Sequence, residues 1–341
     1  MRIALDATYS LGDALSGVGV YSRELMNGLS ASGFAEGWDW FYRSPRYWRT
    51  LLSKAPPNVR IRLLSTHKGD RTAPLFHGLN QRLPELRFQK QVATFHDLFV
   101  LSGDYSTPEF RERFAAQARS AAAAADLIIA VSAFTASQVE HYLYVPASRI
   151  RVIHHGIVAR PLPDIPREKV ILCVGAIQRR KNQAALVRAF RAAPHDWTLV
   201  LAGSHGYDAE AALREIANSP ARDRIKITGY IPDQEIARWY AKASIFAFPS
   251  FDEGFGMPVL EAMAAGVPVI AGNRSSLPEV CGDAAILVDP SNDEELAHAV
   301  NSLATDDGLR RKMTTNGKIH AAGFRWETAV HATIAVYKEL V

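Results

Sequence analysis

The sequence predicts an α/β protein built from two doubly wound halves, the first over residues 1–160 and the second over 161–324. Three observations carry that expectation. Strand-like apolar runs alternate with helix-like segments along most of the chain, which is the punctuation of successive βαβ units. Near the middle, a stretch bearing Pro161, Pro163 and Pro166 has little periodicity and reads as a linker. Finally, 341 residues exceed what one hydrophobic core usually organises, while two domains can each bury a substantial core.

In the first half, runs at 2–7, 60–64, 91–95, 127–131 and 150–153 read as strands. In the second, those at 170–174, 198–202, 225–227, 245–248, 267–270 and 285–288 do so, with helical segments between them. Strands that are apolar throughout and joined by helices belong in parallel sheets covered on both faces. Ser132 stands where an oxygen can cap the helix after 131. The last segment, 325–341, spaces Trp326, Ala329, Val330, Thr333, Ile334, Tyr337 and Val341 at helical intervals, an apolar stripe that must dock.

Composition narrows the function. Hydrophobic residues at 48% and charged residues at 22% describe a folded globular chain and exclude disorder. Cys173 and Cys281 are too few for a disulfide framework and lack metal-ligand spacing, so a reducing cytoplasm is the expected setting. The opening run reaches Asp6 too soon for a signal peptide, and the small-apolar stretch at 121–131 is broken by Asp126 and too short to span a bilayer. Net charge is +4, but residues 43–90 hold eleven Lys and Arg against Asp70 and Glu85. Trp38, Trp40, Phe41, Tyr42, Tyr47 and Trp48 lie in or beside that stretch. The combination suits an anionic membrane surface or a phosphorylated acceptor, with a solvated basic face as the plain alternative. No nucleic-acid motif accompanies the charge.

The segment 253–261 carries the sharpest chemistry. It follows a strand, holds Gly254 and Gly256 for close backbone approach, and runs through Pro258 into a helix expected to start near Met257. The free N–H groups of that helix start make an anion site at the carboxyl edge of a parallel sheet. Eight residues of continuous helix would separate Glu253 from Glu261 by about 12 Å along the axis, but the glycines fold the first half back. Both carboxylates can then face one ligand and accept hydroxyl hydrogen bonds on either side of a phosphate cradle.

A second motif, Gly175-Ala-Ile-Gln-Arg-Arg-Lys-Asn182, leads from a strand into the helical 183–193. Arg180 and Lys181 at a helix N-terminus would oppose its dipole unless a diphosphate lay between them. Arg179 is not separated from Arg180 by this argument. In the first half, Ser16-Gly17-Val-Gly19-Val-Tyr21-Ser22 resembles a dinucleotide fingerprint, but its third glycine is missing and it stands too far from its strand. It reads as a glycine loop bringing amides toward a donor phosphate, or as a plain helix start. His96-Asp97 ends another strand, as an active-site pair or a packed structural histidine; His154-His155 suits packing or a hinge.

These motifs together resemble the large GT-B retaining glycosyltransferase family 4, the glycosyltransferase group 1 that includes sucrose synthases, glycogen synthases and bacterial mannosyltransferases. The resemblance runs over nearly the whole chain and also rests on Gly229-Tyr-Ile-Pro232, Pro249-Ser250, Gly266-Val-Pro268 and Pro278-Glu279. It implies two Rossmann-like domains facing across a cleft, with the helix 325–341 packing back on the first. It implies that Glu253 and His96 face the donor sugar, with Gly254, Phe255, Gly256 and Met257 around it. Glu261 would take the ribose hydroxyls, Arg180 and Lys181 the diphosphate, the Val259 and Leu260 amides the phosphate, and the backbone of Tyr230 and Ile231 the base. Gly17 and Gly19 would approach the donor from the first domain. The partners implied are a nucleotide-sugar donor, GDP-mannose ahead of UDP-glucose, and a glycan or lipid-linked acceptor. Neither a metal nor another cofactor is expected. The implied reaction is front-face displacement through an oxocarbenium-like state, with the leaving diphosphate collecting negative charge. Ala176 and His155 depart from the family pattern, which more often has Arg and Asn there. A phosphorylase, an epimerase or a non-catalytic nucleotide-sugar sensor on the same architecture is the competing reading.

Overall fold

The computed structural model describes residues 1–12, 15–44, 46–50, 54–64, 73–85, 87–158 and 160–341. The chain divides into two compact units. One comprises 1–102, 108–156 and 325–341, the other 103–107 and 157–324.

The first unit is built on a parallel sheet of β1 (Arg2–Asp6), β2 (Gly37–Tyr42), β3 (Val59–Leu63), β4 (Leu75–Gly78), β5 (Lys90–Phe95), β6 (Leu127–Ala130) and β7 (Ile150–Val152), in the order β3-β2-β1-β4-β5-β6-β7. Two of these strands, β2 and β4, were not expected. β2 explains the aromatic run: Trp38, Trp40, Phe41 and Tyr42 are buried in the core, not displayed to a surface. The buried carboxylate of Asp39, which breaks the apolar run, is neutralised by Arg2 at 2.9 Å across β1. Among the aromatics of that stretch, Trp48 is the exposed one, at 60%. Lys68, Asp70 and Arg71 of the basic stretch lie outside the described residues.

The helix Gly17–Ala31 covers one face, and the terminal helix Trp326–Lys338 packs beside it in one core with Leu25, Leu29, Val330, Ile334 and Tyr337. The approach is close: a Cβ on Gly28 would stand 2.4 Å from Val330 Cγ2. A buried polar chain pins the same helix to the sheet. Tyr337 OH lies 2.6 Å from His77 Nδ1, His77 Nε2 lies 2.8 Å from Thr94 Oγ1, and Thr94 Oγ1 lies 2.9 Å from Tyr21 OH. Ser132 caps the helix Ala133–Leu143, accepting from Thr135 N at 3.0 Å.

The second unit holds β8 (Val170–Val174), β9 (Thr198–Ala202), β10 (Ile225–Ile227), β11 (Ile245–Phe248), β12 (Val269–Gly272) and β13 (Ala285–Val288), in the order β10-β9-β8-β11-β12-β13. All pairings are parallel. Burial of every residue of β8 and β11 fits a sheet covered on both faces. Cys173 and Cys281 are buried free thiols in this unit. Among the described residues, no helix is long and apolar enough to cross a membrane.

Candidate active site

The order of the second sheet places β8 beside β11, and the chain leaves them in opposite directions, toward β9 and toward β12. Such a reversal opens a crevice at the carboxyl ends of the two strands, where open parallel sheets bind ligands. Leu172 pairs with Phe246, so β8 and β11 end level, at Val174 and Phe248. The two motifs that carry the chemistry are the segments that follow those ends.

After β8, Gly175 has φ 134°, a region that favours glycine, and a Cβ there would meet the Lys181 stem at 3.0 Å. The chain then makes a 3-10 turn, Arg179–Lys181, before the helix Gln183–Ala189. Arg180 and Lys181 therefore precede that helix instead of occupying its first turn. The separation comes from Asn182, which is left-handed at φ 55° and held by its amide to the Pro290 carbonyl at 2.7 Å.

Both cations turn to the loop after β11. Arg180 Nη1 lies 3.0 Å and Lys181 Nζ 2.8 Å from Glu253 Oε1, and all three residues are buried. Arg180 also donates to the Asp252 carbonyl, and the Lys181 ammonium sits 4.4 Å from the centre of the Phe248 ring. Burial by itself would raise the Glu253 carboxyl, but Arg180 and Lys181 outweigh it and hold the pKa at about 2. Burial and the like charge of Arg180 lower Lys181, while Glu253 opposes them. The loop is braced from behind: Glu253 N–H donates to Ser275 Oγ at 3.0 Å, and the Ser276 hydroxyl lies 2.8 and 2.9 Å from the carbonyls of Glu253 and Phe255.

Gly256, at φ 102°, ends the loop, and the helix Met257–Ala264 starts with Pro258 in its first turn. Of the two amides expected at phosphate, that of Val259 already donates to the Gly256 carbonyl at 3.0 Å. Leu260 is buried in the same turn. Glu261 does not share the partners of Glu253. It meets Arg160 at 3.1 Å and the hydroxyl of Tyr240 at 3.0 Å. Tyr230, 60% exposed, and Ile231 follow Gly229 in the loop after β10, two strands from β8.

In the first unit the reversal lies between β1 and β4. Asp6, at the end of β1, is buried and accepts from Thr8 N at 3.1 Å while pairing with Arg43 at 3.2 Å. Gly17 and Gly19 stand in the first turn of the helix Gly17–Ala31, not in a loop before it, and Ser16 caps that turn at Gly19 N, 3.4 Å away. Gly19 is also required by packing, since a Cβ would stand 2.9 Å from the Tyr9 carbonyl. His96 follows β5 with its Nε2 2.9 Å from the Leu79 carbonyl and its ring against Tyr21, centroids 4.6 Å apart. Burial lowers its pKa to about 4, so it is neutral at pH 7. His155 lies 5.5 Å from it, ring to ring, and against Trp326. A Cβ on Gly156 would meet Trp326 N at 2.2 Å.

Sequence reasoning missed Arg160 and Tyr240. Arg160 was hidden in a proline-spaced stretch and Tyr240 in an ordinary helix, and neither has a local motif. Among the described residues, no three His, Cys, Asp or Glu side chains are grouped to hold a metal ion.

Comparison with known proteins places this arrangement. Residues 160–320 match the family described as glycosyl transferases group 1, and residues 34–160 match glycosyltransferase family 4. The chain is 30% identical to the O-antigen chain mannosyltransferase B of Escherichia coli, across 98% of this chain and 99% of that one. Sucrose-phosphate synthase from Thermosynechococcus elongatus superposes with a TM-score of 0.78 at 23% identity, over 99% of this chain and 98% of that one. HepE of Anabaena, solved with UDP and glucose, superposes at 0.73 with 18% identity, over 99% of this chain and all of the other. With two Rossmann-like units of the GT-B kind, a match of residues 160–320 to the family and 30% identity to a mannosyltransferase over nearly its whole length, the chain belongs to the group 1 family of glycosyltransferases.

Proposed function

We propose that the protein is a retaining mannosyltransferase that moves mannose from GDP-mannose to a glycan or lipid-linked acceptor in bacterial polysaccharide assembly. The name of its E. coli relative supports the sugar and the setting. The observation that carries the chemistry is the buried Arg180–Lys181–Glu253 cluster at the sheet reversal of the second unit. Two cations confined there can take a diphosphate and stabilise the negative charge that grows on it as the sugar departs. A carboxylate ionised far below neutrality can accept hydrogen bonds from sugar hydroxyls. Those two cations supply the charge that a bound metal would otherwise bring, and the reading assigns no cofactor. Glu261, in the second turn of the helix that follows Gly256, takes the ribose, and the backbone at Tyr230 and Ile231 meets the base.

Peripheral contact with an anionic membrane at the inner face of the cell is part of the same reading. Its support is now narrower than the sequence implied: exposed Trp48 between Arg46 and Arg49, and the edge strand β3 with Arg60, Arg62 and Leu63.

Calorimetry with GDP, UDP and ADP tests the donor. GDP is expected to bind tightest, and Arg180→Ala to weaken it by about tenfold or more, the scale of a lost charge-assisted hydrogen bond. Unchanged GDP affinity in Arg180→Ala would remove the diphosphate from this cluster.

A further inference from the structure

The Glu261 carboxylate is gripped from two sides by groups that the chain brings from far apart. Arg160 Nη2 meets Oε1 at 3.1 Å, and Tyr240 OH donates to Oε2 at 3.0 Å. Through its other terminal nitrogen Arg160 reaches Asp233 at 3.1 Å, on the helix Asp233–Lys242 that also carries Tyr240. The planar guanidinium thus ties that helix to the helix of Glu261. Burial of the Tyr240 phenol raises its pKa well above the usual value, so its hydroxyl is a permanent donor. A carboxylate oxygen can accept twice, so this grip uses one position on each oxygen and leaves one on each for a ligand.

Packing alone is a poor account of Arg160. Its Nε is buried without a hydrogen-bond acceptor among the described residues, beside a cavity of about 60 Å3 that Arg160, Tyr240 and Glu261 line together with Val158, Leu162 and Ala264. An apolar side chain would fill that space without leaving a donor unmade. What the arginine does accomplish is to fix the plane of one carboxylate.

We propose that Arg160 and Tyr240 are positioning residues that hold Glu261 ready to accept the two ribose hydroxyls of the donor, and so set the preference for a ribonucleotide over its 2′-deoxy form. The proposal rests on the assignment of the ribose to Glu261. A carboxylate already fixed in plane loses no rotational freedom when the hydroxyls arrive, so the grip strengthens the ribonucleotide and leaves the 2′-deoxy form, with one hydroxyl fewer, much less affected.

The test is calorimetric. GDP and 2′-deoxy-GDP, or the UDP pair if UDP is the tighter ligand, are titrated into the full chain and into R160M, R160K, Y240F and E261A. The wild type should favour the ribonucleotide by about tenfold, the scale of one hydrogen bond to a charged group. E261A should abolish that ratio. R160M and Y240F should cut it by about threefold or more by weakening the ribonucleotide, and R160K should restore it only in part, because one ammonium cannot bridge Asp233 and Glu261 as the fork does. A merely structural role would weaken both nucleotides alike and leave the ratio standing. If E261A abolishes the ratio while R160M and Y240F retain it, the positioning role is refuted and the ribose assignment survives. If E261A retains it, the ribose assignment fails and the positioning role with it. Y240F deletes a single oxygen and decides by the same ratio where R160M does not fold.

Discussion

The substitution Glu253→Gln should separate the two tasks of the cluster. The wild-type carboxylate stands 3.0 Å from Arg180 and 2.8 Å from Lys181, buried with both. At an effective dielectric of 20, each contact is an attraction of about 6 kcal/mol before desolvation is charged against it. The neutral amide would remove the charge that Glu253 presents to both buried cations, and breaking a buried pair in this way costs about 3–5 kcal/mol. For a unit of this size, that corresponds to a fall in Tm of roughly 6–20 °C. A diphosphate replaces the lost charge, so pyrophosphate at about a hundred times its Kd should return about 2.7 kcal/mol. The assay is thermal unfolding with and without pyrophosphate, alongside sugar transfer from GDP-mannose. The expected pattern is a large loss of Tm, a larger gain than the wild type shows at the same pyrophosphate concentration because the variant binds it more tightly, and no transfer. A Tm within about 2 °C of wild type would mean the cations do not depend on Glu253, and surviving transfer would remove it from the chemistry.

Acid should loosen the first unit before the second. Burial lowers His77 to about 3 and His96 to about 4, and His155 moves the same way. The folded state therefore resists protons that the unfolded chain takes up near 6.5, and stability falls as pH drops from there toward 4. At 1.36 kcal/mol per pH unit, moving to pH 5 costs about 2 kcal/mol for each of His77 and His96. Glu253 acts in a lower window: its contribution is whole above the ordinary carboxylate value and is lost as pH falls toward about 2. Melts between pH 7 and 5 check this, and a flat Tm over that range would show that these histidines are not neutral in the fold. Flotation with anionic vesicles should recover the chain at low salt and lose it in Trp48→Ala or at high salt; recovery only with neutral lipid would end the membrane reading.

Segment 253–261 shows how far local signals reach. A strand, two glycines, a proline and a helical run in order allow no other local arrangement, and the helix starts at Met257 as expected. The six strands of the second half were legible for the same reason, each an apolar run between breakers; only β12 begins two residues late, because Val267 still bonds back to Ala262 in the preceding turn. In the first half β2 was not legible, since its charge-broken pattern makes sense only once Arg2 is beside Asp39. Gly17 and Gly19 looked like a loop because the turn that crowds Gly19, at Tyr9, is not adjacent to it in sequence.

The α/β class, the alternation of strands and helices, and which loops carry cations, glycines and acids are legible in the chain alone, because those properties follow from spacing within a few residues. The tertiary structure alone decided the pairings. Sheet order, a long-range hydrogen-bonding choice, put the ends of β8 and β11 side by side and so turned Arg180 and Lys181 onto Glu253, 72 residues away from Lys181. Those two cations, against the opposing effect of burial, then hold the carboxylate strongly ionised. The same kind of choice brought Arg160 and Tyr240 to Glu261, so the two acids of one short motif serve different partners. Charge partners are selected by distance in space, which no local pattern encodes.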